Sequence, residues 1–240
     1  MSIHILKVVM AFIIGMFFAI PHAYSFDAEN ENMSKEAKKF ADDSDNFQKN
    51  NNFKEAENSL LAAIRYEPEN PTLRTKLGIV YHANFELWRK NNLENEFIDK
   101  TAVFNRTIAK SIKELEKAVA LDPMDSVPRF FLGMEYKNAY EFTEDRAWLS
   151  KSELEFEKAL KFDPENMLAY HMLGVINYVN LNNAEKAKGY FLRAVSIEPK
   201  FIESHIFLLN IYCDDGETNL AREELERIKL FDPRNKTLSK

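Results

Sequence analysis

One cysteine, Cys213, is the whole thiol content of this 240-residue chain. No intramolecular disulfide can form, so stability rests on a packed core. A lone thiol with no neighbouring base reads as a packed side chain, not a nucleophile. Glycine is scarce, at 6 residues, and no glycine-rich loop is present to cradle a phosphate. The histidines form no His-x-x-x-His pair and no His-Glu-x-x-His motif. His82, His171 and His205 lie far apart, so no metal-ligand cluster is read. A basic excess is missing too. The formal net charge is -6 with both signs mixed along the chain, which argues against nucleic acid as a partner. The run Asp42-Asp43-Ser44-Asp45-Asn46 starts like a calcium loop but lacks the glycine at the sixth position and the closing glutamate. It reads as a solvated helix face. No cofactor, no metal and no convergent catalytic constellation is found, and the chain is expected not to be an enzyme.

Long apolar runs are also absent, with one exception. Val8 to Ile20 is unbroken, follows a lysine at position 7, and ends at Pro21 before the small-residue stretch Ala23-Tyr24-Ser25. This pattern predicts a secretory signal over residues 1–25, cleaved after Ser25. A membrane anchor is the other reading, but a spanning helix needs roughly 20 residues. Export to a bacterial periplasm or to the medium is expected, with no stable membrane span after cleavage. Asn-x-Ser/Thr motifs at Asn32, Asn105 and Asn235 matter only in a eukaryotic secretory pathway.

What the chain does have is internal repetition. A small apolar residue is followed four positions on by an acid and then a proline. The copies are Ala63…Glu67-Pro68, Ala118…Asp122-Pro123, Ala159…Asp163-Pro164, Ala194…Glu198-Pro199 and, more weakly, Ile228…Asp232-Pro233. Leu77-Gly78, Leu132-Gly133 and Leu173-Gly174 follow their prolines at one fixed distance. The prolines are 55, 41, 35 and 34 residues apart. Such self-similarity marks a stacked array. Each unit reads as two helices, with apolar side chains at spacings of three and four on one face. Leu77 and Tyr81 start the first-helix column, and Ala56, Leu60 and Ala63 the second. Small residues on both (Gly78, Gly133 and Gly174 against Ser111, Ser152 and Ala187) let the paired helices approach closely. Proline stops the second helix, and Asn70 before Pro71 reads as an N-cap.

The layout resembles the tetratricopeptide repeat family over residues 34–233. The resemblance implies an all-α solenoid, a right-handed superhelix of antiparallel helix pairs. Its units are 34–68, 69–123, 124–164, 165–199 and 200–233, with a linker at 26–33 and a tail at 234–240. The chain departs from the family at Leu209 (for glycine) and Asn177 (for tyrosine). The usual tryptophan column holds Phe40, Arg74, Arg129, Tyr170 and His205. The resemblance also implies a non-catalytic scaffold that grips a protein or peptide segment in an apolar concave groove. By register, the groove positions are Ile79 and His82; Phe130, Met134, Lys137 and Asn138; Leu168, His171, Val175 and Tyr178; and Ile206 and Asn210. The family's carboxylate clamp is missing, since its sites hold Ala41, Thr75, Phe130, His171 and Ile206. Two other readings of the groove stay open: narrowing by long hairpins, or filling by residues 26–33. A self-associating structural protein, joined through an uncapped terminal hairpin, and a hydrophobic-ligand-binding helper are the alternative functions.

The second and third units exceed 34 residues by 21 and 7. Both excesses fit lengthened hairpin arms, since each turn takes about 3.6 residues. Turns are expected at residues 90–94 and at Thr143-Glu144-Asp145, and Phe104, Ile108, Ile112 and Leu115 read as one continuous second helix. Trp88, Phe97 and Phe104 either project as a recognition surface or close the hairpin on itself or on the third unit, through Phe142 and Trp148. The second is the expectation, because aromatics at helical spacing usually belong to a core.

Overall fold

A computed structural model describes residues 33–92 and 100–232. The leader, most of the linker, Phe97 and the tail lie outside them. Among the described residues every regular element is helical. The helices are α1 (Lys35–Lys49), α2 (Phe53–Tyr66), α3 (Pro71–Asn91), α4 (Lys100–Arg106), α5 (Ile108–Leu121), α6 (Ser126–Thr143), α7 (Ala147–Phe162), α8 (Met167–Val175), α9 (Ala184–Ile197), α10 (Ile202–Asp214) and α11 (Thr218–Phe231). A π-helical turn, Ile176–Asn180, extends α8. The chain divides into two compact units, and the boundary falls within α7 between Glu155 and Phe156.

In the first unit α1 packs on α2, α2 on α3, α3 on α5, and α5 on α6; α3 also meets α6. In the second, α8 packs on α9, α9 on α10 and α10 on α11. The repeated phrase has a direct backbone cause. The acid of each copy gives the last helical hydrogen bond, from its N–H to the carbonyl of the small residue: Glu67 to Ala63, Asp122 to Ala118, Asp163 to Ala159, Glu198 to Ala194 and Asp232 to Ile228, all at 2.8–3.1 Å. The next residue is proline and has no N–H to continue with. The acid side chains then fold the loop. Asp122 accepts from Met124 N at 3.0 Å, Asp163 from Glu165 N at 3.3 Å and Glu198 from Lys200 N at 3.1 Å. Short side-chain-to-backbone bonds of this kind mimic a turn. Four first helices start on capping side chains, Ser34 accepting from Ala37 N, Asn70 from Leu73 N, Asp125 from Val127 N and Asn166 from Ala169 N, while α10 starts at Phe201 without one.

The small-residue columns do more than save space. Ser111 Oγ donates to the Gly78 carbonyl at 2.9 Å, and Ser152 Oγ to the Gly133 carbonyl at 2.6 Å. A Cβ built on Gly78 falls 2.5 Å from Leu115 Cγ, and one on Gly174 falls 2.5 Å from Phe191 Cε1. A rigid ring yields less than a leucine. Gly174→Ala is expected to destabilise by about 1–3 kcal/mol through overpacking, more than the helix-propensity gain of about 1 kcal/mol offsets. Gly78→Ala is expected to cost less, and urea titration of both variants checks the order.

The hairpin turns use the left-handed region. Asn51, Glu144, Asn182 and Gly216 have φ of 57°, 58°, 53° and 75°. Glu144 closes α6 by donating its N–H to Tyr140 O at 2.7 Å. Glu144→Gly removes the Cβ strain of that position. The variant is expected to gain about 0.5–1 kcal/mol, read as a higher urea midpoint.

Two sequence expectations need correction, and one feature of the fourth unit was not foreseen. The second helix of the long second unit is not continuous: it breaks at Thr107, with φ -120° and ψ -74°. The Thr107 hydroxyl back-bonds to Val103 O at 2.8 Å, which competes with the helical ladder. α3 runs on through Asn91, so residues 90 and 91 are helical and not turn. The extra residue of the 35-residue unit is absorbed by the π turn after α8, where Leu181 and Asn183 donate to Ile176 and Asn177.

Candidate functional site

The positions carried over from the resemblance fall into two sets, one in each compact unit. In the first, Ile79 and His82 lie on α3, and Phe130, Met134, Lys137 and Asn138 on α6. All are buried, and His82, Phe130, Met134 and Asn138 have 0% exposure. In the second, His171 and Val175 on α8 and Ile206 on α10 are buried, while Leu168, Tyr178 and Asn210 are half-buried. The apolar members Phe130 and Met134 are therefore core side chains in this structure.

The α3 and α6 faces carry a polar cluster. His82 Nδ1 meets Glu135 Oε1 at 2.6 Å. One turn on from His82, Glu86 accepts from Arg89 Nη2 at 2.7 Å, and Arg89 also reaches Glu141 at 3.3 Å. Lys137 pairs with Glu141. Three of the side chains, His82, Glu86 and Glu135, are almost fully enclosed. Burial pushes the His82 pKa down, but the charge and hydrogen bond of Glu135, with Glu86 behind it, outweigh burial, and the net shift is upward. Burial also drives Glu86 above the ordinary carboxylate range, against the pull of Arg89. For Glu141, burial is overcome by Lys137 and Arg89, and the carboxyl is held low.

The aromatics of the long hairpin close inward. Phe85 and Trp88 stack at 5.9 Å, and Phe142 sits against Phe85, Trp88 and Phe104 at 5.7, 6.3 and 6.5 Å. Trp148 packs on Tyr136 instead, at 5.5 Å, under Lys151.

In the second unit His171 is enclosed by Phe191, Phe201 and Phe207, with ring centroids 5.0–5.7 Å away. Its Nδ1 meets Ser204 Oγ at 2.8 Å. Burial pushes its pKa down to about 3. Tyr178 reaches Asp214 at 3.2 Å; burial and that carboxylate push the phenol up to about 12. Cys213, expected to be packed, is exposed. It follows Tyr212 on the last turn of α10, where the helix has passed its buried stripe.

The column that departs from the family forms a second polar system, one that sequence reading missed. Arg74 pairs with Glu114 at 2.7 Å, Arg129 with Glu155 at 3.0 Å and His205 with Glu224 at 2.5 Å. The same three side chains reach back six residues to the carbonyls of Pro68, Pro123 and Pro199. The pair separations of 40, 26 and 19 residues differ from the shortest by 21 and 7. Those are the excess lengths of the two long units, so both insertions lie in the hairpin arms. The signal was a basic residue six after three of the prolines, 68, 123 and 199, with an acid on the following second helix.

Residues 168–201 match the tetratricopeptide repeat family. No curated protein matches the sequence. Among solved structures, MamA superposes with a TM-score of 0.60 at 17% identity, over 81% of this chain and 96% of MamA. TTC0263, a thermophilic tetratricopeptide protein of Thermus thermophilus, gives 0.59 at 15% identity, over 85% of this chain and 95% of that one. A monomeric IFIT1 mutant with Gppp-AAAA gives 0.62 at 20% identity, over 82% of this chain but 48% of IFIT1. The fold is a tetratricopeptide-type helical solenoid. Among the described residues of this solenoid no group of three or more His, Cys, Asp or Glu side chains could hold a metal ion, and no helix is long and apolar enough to cross a membrane.

Proposed function

We propose that the chain is a non-catalytic protein–protein interaction scaffold of the cell envelope or secretory space, and that a partner segment binds on the faces of its first helices. The observation that carries this reading is the fold itself. Helix pairs held by short proline-marked loops present a series of first-helix faces, and such arrays serve chiefly as binding surfaces. The leader pattern at residues 1–25 supports export. The IFIT1 structure holds Gppp-AAAA, but this chain is acidic, at -6, with both signs mixed along it, where phosphate binding needs a positive stripe. Self-association through the last hairpin has little support. The exposed leucines of α11, Leu220 and Leu230, lie about 15 Å apart along the helix axis and form no single patch.

Since Phe130 and Met134 are core, a charge placed there tests folding before binding. The half-buried positions are better probes. A photo-cross-linking residue at Tyr178 is expected to trap a protein partner in the native envelope fraction. The same residue at exposed Arg222 on α11 is expected to trap none. Equal adducts at both positions, or none at either, count against a first-helix binding face.

A further inference from the structure

Charge in the second compact unit is sorted by helix. Residues 162–185 and 201–221 contain no lysine or arginine, and these stretches hold α8, its π turn and α10. The second helices α9 and α11 carry three cations each. The first unit is not sorted in this way, since α3 carries Arg74, Lys76, Arg89 and Lys90, and α6 carries Arg129 and Lys137. Along α10, Glu203, Ile206, Asn210 and Asp214 recur at spacings of three and four, so they share one side. Leu168, Val175 and Tyr178 share a side of α8, and the Tyr178–Asp214 contact joins the two sides.

Glu203 is half-buried on the first turn of α10. A helix N-terminus favours a carboxylate, yet burial outweighs that here and the carboxyl is shifted upward, with only its own backbone N–H acting the other way. Among the described residues no cation lies beside it. Lys188 turns to Glu185 and Asp215, Arg193 lies over the Tyr170 ring, and Arg227 pairs with Glu223 and Glu224. Glu203 is thus open to solvent and unpaired, and Asp214, exposed, marks the other end of the same side. We propose that this face takes an extended protein segment carrying a basic side chain at each end and an apolar one between. One cation meets Glu203, the other meets Asp214, and the apolar side chain lies on Leu168 and Tyr178. Glu203 and Asp214 stand eleven residues apart, about 16 Å along a helix. An extended chain advances about 3.3 Å per residue and returns to one face every second residue. Basic residues four apart therefore span about 13 Å, and their long stems cover the rest. The assignment rests on the scaffold reading above and adds the charge that the partner segment must carry.

The test is NMR of the full chain titrated with acetyl-Lys-Ser-Leu-Ser-Lys-amide at low salt, against the same peptide with glutamate for both lysines. The lysine peptide is expected to shift the backbone amide signals of Leu168, Tyr178 and Asn210 saturably, and the glutamate peptide to leave them in place. Glu203→Gln is expected to weaken the lysine peptide about tenfold, the effect of losing one charge-assisted contact at a half-buried acid. Asp214→Asn, at an exposed acid, is expected to weaken it only about twofold. Burial already disfavours the Glu203 charge, so Glu203→Gln is expected to unfold at the same urea concentration as the parent or a higher one, which separates lost binding from lost folding. No saturable shift, an equal response to both peptides, or unchanged affinity in Glu203→Gln overturns the assignment; Glu203 then serves only the first turn of α10. If the Tyr178 adduct forms while the peptide response is missing, only the charge assignment falls. If the peptide binds as expected and no adduct forms, only the envelope scaffold reading falls.

Discussion

Acidification from pH 6.5 towards 4 is expected to loosen the helices around His171 well before carboxylate titration explains it. The pKa of His171 is about 3 in the folded chain, against 6.5 for a free imidazole. Its folded value is depressed, so the folded state binds fewer protons than the unfolded state between those values. Stability contributed here is complete above 6.5 and is lost as pH falls, by about 1.4 kcal/mol per pH unit, or roughly 3 kcal/mol by pH 4. The cause is geometric. Phe191, Phe201 and Phe207 enclose the ring, burial drives its pKa down, and Ser204 offers one neutral hydrogen bond. Glu203, raised by burial, works the other way over the lower part of the range and reduces the net slope. Hydrogen exchange of peptides from α8 to α11 should show protection falling as pH drops below 6.5. His171→Gln should flatten that dependence. An unchanged slope in the variant means that His171 is not its source.

The partition between what the sequence disclosed and what it hid has a physical basis. Prolines 68, 123, 164 and 199 were legible because a helix stop is a local backbone event, and the acid before each also acts locally. The columns of Gly78 and Gly174 were legible because close helix approach admits few residue types. The Thr107 break was not, because a threonine back-bond costs little and leaves the apolar spacing of Phe104 and Ile108 intact. The pairing of Arg74, Arg129 and His205 with Glu114, Glu155 and Glu224 was hidden by variable separation in sequence, although one register explains all three. The first-helix faces were placed by register, yet register cannot state burial. Phe130 and Met134 belong to the enclosed interior, and Lys137 and Asn138 lie beside them despite their polarity. The excess of 21 and 7 residues indicated longer arms, but only the folded chain shows that Trp88 and Phe104 turn in on Phe142.

The largest single-residue effect is expected at Glu135. Glu135→Ala leaves His82 buried without its 2.6 Å partner, and breaking a fully buried pair in this way costs about 3–5 kcal/mol. Joint replacement by apolar residues, His82→Phe with Glu135→Leu, avoids the stranded polar group and is expected to cost far less. Chemical denaturation of the two variants and the parent separates these outcomes. The parent should also carry a pH signature opposite to that of His171. The folded pKa of His82 is raised above 6.5. Its stabilisation is therefore fully present below 6.5 and lost as pH rises through the folded value. Exchange protection in α3 and α6 should fall on the alkaline side, while protection in α8 to α11 falls on the acid side. One histidine is enclosed by aromatic rings and the other by carboxylates, and that difference alone sets the two signs. If both sets of helices lose protection in the same direction, the His82–Glu135 pair is not held as an ion pair, and the expected penalty for Glu135→Ala shrinks to that of a neutral hydrogen bond, about 1 kcal/mol.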